Sequence, residues 1–408
     1  MSIPSFKVNY NNLRTELCEL GRKYDTDKTP WRNNTSDSRH AHPYTIFYDN
    51  LFKNVKDEEL VYCEMGILHG SSLRMFAEHL KNAKLIGLEY NQNYIDTFNS
   101  SNTDQRITID FMNIKDEESI YNSLKKCPPI DILIEDTTHE FEDQIRAIKK
   151  ATPILNEGGI LIIEDIFLKE NEAKYYDALK DILTEYKNYY FVTLDHKNKI
   201  STGWNNDKLL ILHKKGTSKF DYFPNVTLIT PSCRPKNIET LYKTIDFNKI
   251  DKWIIVYDSL KVTQTFQYVG HPKIEEYITT GPGISGNPQR NYAIQLLRDR
   301  NYDGFIYFLD DDNTIHPNFW NLYTLIRPGF YYTFDMIRRN DILTGDKCEV
   351  NKIDTAMFIV DFKTTGEMKW EDVDKYCADG LYIQRIYKTY PNKHIYVNYI
   401  AAQYNSLK

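Results

Sequence analysis

DILIEDTTHEFEDQIRAIKKATPILNEGGILIIED, residues 131–165, decides the fold of the first half of this chain. A short apolar run, an amphipathic stretch and a second apolar run follow one another, and each apolar run closes on two acids. A strand, a helix and a strand in that order imply a parallel pair joined by a crossover. The alternation extends outward on both sides. LVYCEMGI, SLRMFAEHL, AKLIGLEY, YIDTFNS, RITIDF and DEESIYNSLKKC precede it, and the helical EAKYYDALKDILTEYK and the strands YYFVTLDH and KLLILHK follow. Such a pattern predicts a doubly wound, Rossmann-like α/β sheet covered on both faces.

Beyond it, KKGTSKFDYFPN (214–225) is polar, with Gly and a late Pro, and reads as a linker. A second alternation then begins with NVTLITPS, ETLYKTI, WIIVYDS, the loop GPGISGNPQ, the helical RNYAIQLLRD and the strand GFIYFLD. Two α/β domains are therefore expected, 1–215 and a smaller one over 223–408, which suits a length of 408 residues.

Charge narrows the partners. With 51 Lys+Arg against 57 Asp+Glu the net charge is −6, so there is no basic footprint for nucleic acid and no polybasic membrane anchor. MSIPSFKVNYNNLRTELCEL lacks the charged start and apolar core of a signal peptide, and no apolar run approaches the roughly 20 residues of a membrane span. The expectation is a soluble cytoplasmic protein whose partners are small molecules. The six cysteines, Cys18, Cys63, Cys127, Cys233, Cys348 and Cys377, form no CxxC pair, which suggests neither a zinc site nor a disulfide framework. Oligomeric state is left open, a homo-oligomer included.

In the first domain EMGILHGSS (64–72) ends a strand on an acid and turns through Gly66, Gly70 and Ser71 close to a ligand. The spacing departs from the dinucleotide fingerprint, and Glu64 would repel a pyrophosphate there. A cationic cofactor suits it better. Glu89, at the end of GLEYN, is placed to hold ribose hydroxyls, or is a solvated strand end. Asn113 is placed to read an adenine amino group, with Asp110 as the weaker candidate. S-adenosylmethionine, with its sulfonium, ribose diol and adenine, meets these demands.

The acid pairs then acquire a purpose. At the ends of neighbouring parallel strands Asp136, Glu164 and Asp165 converge, and three carboxylates repel one another unless a hard cation such as Mg²⁺ joins them. His139, three residues after Asp136, would overhang the site as a general base. The plainer alternative is helix capping by Asp136 and Thr138, with Glu164 and Asp165 solvated.

KYDTDK (23–28), HPYTIFYDNLF (42–52), EMGILHGSSLRMF, DILIEDTTH and GGILIIEDIF together resemble the class I methyltransferases typified by the mycinamicin sugar O-methyltransferase, over roughly residues 15–214. The resemblance implies that Asp136, Glu164 and Asp165 hold Mg²⁺, that Asp136 also borders the S-adenosylmethionine, that His139 is the base, and that a sugar hydroxyl of a glycan or glycoside is methylated. The family's Gly-Thr-Asp-Lys stands here as Asp25-Thr26-Asp27-Lys28, and its Asp-Gly-Ser-His as Asp136-Thr137-Thr138-His139.

In the second domain YFLDDDNT places Asp310, Asp311 and Asp312 after a strand, where carboxylates can hold Mn²⁺ or Mg²⁺ against a diphosphate or else form an exposed acidic turn. With VTLITPSCRP, WIIVYDS and NPQRNYAIQLL, this stretch resembles GT-A glycosyltransferases, closest to the inverting β-1,3-glucuronosyltransferases, over about residues 223–390. By that likeness Asp258 contacts the base of a nucleoside-diphosphate sugar, Arg290, Asp310 and Asp311 the donor, and Asp310 and Asp312 the metal. YCADGLYIQRI then places Asp379 as the catalytic base, with Asp372 as runner-up. The family's stacking tyrosine is Cys233 here, and its carboxyl-terminal histidine segment has no match.

The expected function is bifunctional: one domain transfers a sugar, the other methylates a sugar hydroxyl. The alternatives are one active transferase fused to a degenerate domain serving as a carbohydrate-binding module, or a wholly non-catalytic glycan-binding protein.

Overall fold

The computed structural model describes residues 2–32, 40–262, 267–279, 286–365, 368–371 and 377–407. It divides into two compact units, Met1–Asp221 and Tyr222–Lys408.

The first unit contains β1 (Ser5–Asn9), α1 (Glu16–Tyr24), α2 (Tyr44–Leu51), β2 (Val61–Met65), α3 (Ser71–His79), β3 (Lys84–Glu89), α4 (Gln92–Ser101) and β4 (Ile107–Phe111). It continues with α5 (Glu117–Lys126), β5 (Ile130–Glu135), α6 (Phe141–Ala151), β6 (Leu155–Ile163), α7 (Glu172–Leu179), β7 (Tyr186–Asp195) and β8 (Lys208–Lys214). Pairing gives one sheet in the order β4-β3-β2-β5-β6-β8-β7-β1. β2 to β6 run parallel, and β8 is antiparallel to both of its neighbours. Strand order reverses between β2 and β5, the place where open α/β sheets leave a crevice beyond their carboxyl ends.

Local chemistry explains these elements. Ile132, Leu133 and Ile134 on β5 and Ile160 to Ile163 on β6 are all buried, as unbroken apolar runs in a doubly covered sheet must be. On α6, Ile145 and Ile148 are buried one turn apart, each contributing about 1.5–3 kcal/mol of apolar burial. Glu142 and Asp143 in its first turn and Lys149 and Lys150 in its last complement the helix dipole.

Two local findings differ from the sequence expectation. Ser5–Asn9 adds a parallel edge strand beside β7, with Phe6 and Val8 turned inward. Residues 215–221, expected as linker, pack onto the first unit: Ser218 Oγ donates to the Gly158 carbonyl, and Phe220 is buried 6.3 Å from the Phe52 ring.

The second unit contains β9 (Val226–Ser232), α8 (Pro235–Tyr242), β10 (Lys252–Asp258), β11 (Ile274–Thr279), α9 (Asn287–Asp299), β12 (Phe305–Phe308) and β13 (Thr314–Ile315). Then come β14 (Tyr331–Arg338), β15 (Asp341–Leu343), β16 (Phe358–Asp361), α10 (Phe362–Thr365), α11 (Ala378–Thr389) and β17 (His394–Gln403). Its sheet runs β11-β10-β9-β12-β16-β14-β17, with β16 antiparallel to β12 and β14. No helix among the described residues is long and apolar enough to cross a membrane.

Candidate active site

In the first unit, the carboxyl ends of β2 to β6 surround a cavity of about 1030 Å³. Its wall includes Gly66, Ser71, Glu89, Asn113, Asp136, His139 and Asp165. Register brings the acids together. Glu135 on β5 lies opposite Ile163 on β6, and the Glu164 amide donates to the Glu135 carbonyl at 2.9 Å, so Asp136 and the Glu164-Asp165 pair leave the sheet side by side.

Asp136, His139 and Asp165 each offer one ligand atom, all within 4.8 Å of one another. His139 Nδ1 lies 3.8 Å from Asp136 Oδ1, and Nε2 lies 3.7 Å from Asp165 Oδ2. His139 and Asp165 both adopt positive φ, at 60° and 56°, a conformation that costs a non-glycine residue about 1–3 kcal/mol and persists where the surroundings enforce it. His139 Nδ1 is buried without a hydrogen-bond partner among the described residues. The two converging carboxylates fit a divalent cation, with the imidazole beside them as a neighbouring proton acceptor.

Glu164 takes a different position from the one expected of a third carboxylate ligand. Its carboxylate accepts from Lys28 Nζ and, at 2.5 Å, from Tyr48 Oη. Lys28 is itself buried, 2.5 Å from Asp136 Oδ2 and 3.6 Å from Glu64 Oε1. Burial alone would lower the Lys28 pKa, but Asp136, Glu164 and Glu64 outweigh it and hold the ammonium charged well above its ordinary range.

A second layer comes from α2, where Tyr44 and Tyr48 share one face at a spacing of four. Tyr44 Oη donates to Asp165 Oδ1 at 2.6 Å. His42 stands behind it, 2.9 Å from Asp207 Oδ1 and 3.8 Å from Asp165 Oδ1. Burial pulls His42 down, yet these carboxylates reverse the effect and raise it to about 9. In the sequence only the i, i+4 spacing of the two tyrosines in HPYTIFY marks this layer, and nothing local marks Lys28 as its cation.

The expected cofactor residues divide. Ser71 and Asn113 line the cavity, although Asn113 Oδ1 accepts the Lys115 amide. Glu89 also faces it, but its carboxylate receives the amides of Ile67, Leu68 and Asn91 at 2.9–3.1 Å and so shapes the turn after β2. Gly66, at φ +83°, permits a close strand approach, since a Cβ there would meet the Asp136 carbonyl oxygen at 2.1 Å. Glu64 and Gly70 are off the wall. Glu64 is fully buried and accepts from Ser72 Oγ at 2.6 Å; Gly70 caps α3 at φ +73°. Asp110 pairs with Lys126 at 2.6 Å, away from the cavity.

In the second unit a cavity of about 380 Å³ lies beyond the carboxyl ends of β9, β10 and β12, and Asp258, Arg290, Asp310, Asp311, Asp312 and Asp379 all line it. Asp310 has a partner of its own, whereas Asp311 and Asp312 share Arg234. Asp310 pairs with Arg290, which is buried and lies 4.4 Å from the Trp370 ring centre. Asp311 turns to the β9 loop, accepting from Ser232 Oγ and the amides of Cys233 and Arg234 at 2.8–3.0 Å. Asp312 lies 3.0 Å from Arg234 Nη2. Asp311 is thereby committed to holding the loop, a local reason for its place in the triplet.

Asp379 sits in the first turn of α11, and burial, with Asp310 nearby, pushes it up to about 6. Asp354, which the sequence did not single out, lines the same cavity and is pushed up to about 7 by burial, Asp310 and Asp379. Asp372 lies outside the described residues.

Comparison with known proteins bears on the first unit. Residues 63–166 match a family model described as a methyltransferase domain. The chain is 28% identical over 138 residues to 8-demethyl-8-alpha-L-rhamnosyl tetracenomycin-C 2'-O-methyltransferase of Streptomyces olivaceus, covering 32% of this chain and 35% of that protein. It is 27% identical over 163 residues to demethylmacrocin O-methyltransferase of Streptomyces fradiae, covering 38% of each. The chain thus spans little more than a third of the length of the curated relatives it matches. Among solved structures it is similar to the MycE methyltransferase from the mycinamycin biosynthetic pathway in complex with Mg and SAH, at 18% identity, with a TM-score of 0.37, over 50% of this chain and 55% of that one. The first unit thus combines a Rossmann-like sheet with a stretch, residues 63–166, that resembles a methyltransferase domain, and the chain is similar to sugar O-methyltransferases over about a third of their length.

Proposed function

We propose that the first unit transfers a methyl group from S-adenosylmethionine to a sugar hydroxyl, with a divalent cation held by Asp136 and Asp165. The convergence of Asp136, Asp165 and His139 at the cavity wall carries this reading. Glu164, the other expected ligand, would support that pair from its position beside Lys28. When bound, the cofactor supplies an electrophilic methyl, and the cation acidifies the attacking hydroxyl.

The chain's residues do the rest. His139 Nε2 would take the proton of the attacking hydroxyl as that oxygen receives the methyl group. Asp165, oriented by Tyr44 and the His42 imidazolium, stabilises the charge gained by His139. Lys28 keeps Asp136 ionised and correctly aimed. The rhamnosyl group named in one relative makes deoxyhexosides the first acceptors to test.

For the second unit the proposal is metal-dependent, inverting transfer of a sugar from a nucleoside diphosphate, with Asp379 as base. Acidic and cationic groups sharing one cavity at parallel strand ends support it. One observation favours the alternative of a carbohydrate-binding module: each aspartate of the triplet is engaged by arginine or backbone amide.

Calorimetric titration of S-adenosylhomocysteine, together with nucleotide release across sugar nucleotides at varied Mn²⁺ and Mg²⁺, tests both. Absence of cofactor binding removes the first reading. Absence of release with any donor leaves the second unit as a binding module.

A further inference from the structure

Trp204, in the loop between β7 and β8, is 51% exposed, although an indole normally buries its face. Three rings surround it. Phe167 stacks against it at 6.0 Å and 22°, His40 meets it edge-on at 5.7 Å, and His139 meets it edge-on at 6.5 Å. The arrangement is tied down by backbone: the Leu168 amide donates to the Asn205 carbonyl at 2.7 Å, joining the loops that carry Phe167 and Trp204. The Asn205 amide in turn donates to Ser201 Oγ at 2.8 Å.

Trp204 also belongs to two cavities. It lines the large one that holds His139, and it lines a second of about 660 Å³ formed with Phe167, Leu168, Lys169, Gly203 and Asn205. A hydroxyl within proton-transfer reach of His139 therefore belongs to a ring that must lie close to the indole.

We infer that Trp204, braced by Phe167, is the stacking platform for the pyranose whose hydroxyl is methylated, and that the second cavity receives the next ring of a glycoside. This rests on the methyl-transfer reading of the first unit. A pyranose presents C–H groups on one face and hydroxyls at its rim, so an electron-rich aromatic face holds the ring while polar groups select the rim. Lys169, whose ammonium lies 5.5 Å from the Phe167 ring centre, supplies donors to rim hydroxyls of the second ring. Trp204 and Phe167 are thus specificity-determining residues, separate from the residues that move the proton.

Saturation-transfer difference NMR on the full chain tests this, with methyl pyranosides and disaccharide methyl glycosides as probes, each with and without S-adenosylhomocysteine and Mg²⁺. Trp204→Ala should weaken pyranoside binding about tenfold, and Trp204→Phe should recover most of the loss. The disaccharide glycosides should bind wild type more tightly than the monosaccharide probes, and Trp204→Ala should reduce that advantage. Affinity for S-adenosylhomocysteine should stay within about twofold in both variants, which separates platform loss from general damage. Unchanged pyranoside affinity in Trp204→Ala, or equal losses in the Ala and Phe variants, would overturn the inference. Failure of the wild type to bind S-adenosylhomocysteine would remove the methyl-transfer reading, while the probe spectra without cofactor still decide whether Trp204 holds a sugar.

Discussion

Lys28 Nζ lies 2.5 Å from Asp136 Oδ2 across 108 residues of sequence. The same ammonium touches Glu164 and approaches Glu64, so one buried cation organises three carboxylates. Removing one partner of a buried charge group is costly because the others keep their charge without compensation, typically about 3–5 kcal/mol. Lys28→Met should destabilise the first unit by that amount in urea denaturation, and added Mg²⁺ should recover more stability in the variant than in wild type. A loss below about 1 kcal/mol would show that the carboxylates are neutralised in another way.

His139→Ala should lower methyl transfer about 10²- to 10⁴-fold, the usual contribution of a positioned base, while calorimetry shows S-adenosylhomocysteine binding retained. If binding and turnover fall together, His139 serves the cofactor rather than the proton.

Tyr44→Phe removes the hydroxyl that donates to Asp165 Oδ1 at 2.6 Å and leaves the ring in place. A hydrogen bond to a charged group is worth about 1.5–3 kcal/mol, so the variant should melt lower and its apparent Mg²⁺ affinity should change. An unaltered cation titration would separate Tyr44 from the proposed cation site.

Asp379, raised to about 6, gives the second unit a testable pH limb. A base must be ionised to act, so the proposed sugar transfer should fall about tenfold per pH unit below 6 and level off above it. Asp379→Asn should abolish that limb along with most turnover, and a limb that survives would assign it to Asp354 or another group.

Stability of the second unit should also follow pH through His394, which burial pushes down to about 4. Between that value and the ordinary 6.5, the unfolded chain binds a proton that the folded chain refuses. Stability therefore rises with pH across this window and is lost as pH falls from about 6.5 towards 4. The difference is worth up to about 3 kcal/mol, measurable as a shift in urea midpoint that His394→Asn should flatten.

Much of the first unit was legible because its signals are local. The apolar runs at β5 and β6 fix strands, the intervening i, i+3 isoleucines fix α6, and acids at both strand ends mark the edge where chemistry gathers. What escaped was non-local. Glu164 looked like a ligand beside Asp165, and only the fold shows Lys28 reaching it from a loop 136 residues earlier. Asp354 was illegible for a similar reason: nothing in KIDTAMF sets it apart until folding places it among Asp310, Asp379 and a low-dielectric wall. Trp204 stood in a polar loop with no periodicity to mark it.

The origin of the carboxylates and of the groups that balance them has a modular consequence. Glu64, Asp136, Glu164 and Asp165 all belong to the stretch from β2 to the two residues that follow β6, whereas Lys28, His42, Tyr44 and Tyr48 come from the segment before it. A sheet core alone would carry three buried acids and the half-buried Asp136 without their ammonium and imidazolium. The segment before β2 thus acts as an electrical counterpart that lets the sheet tolerate so acidic a floor. Exchanging that leader between related chains should retune the floor without disturbing the sheet.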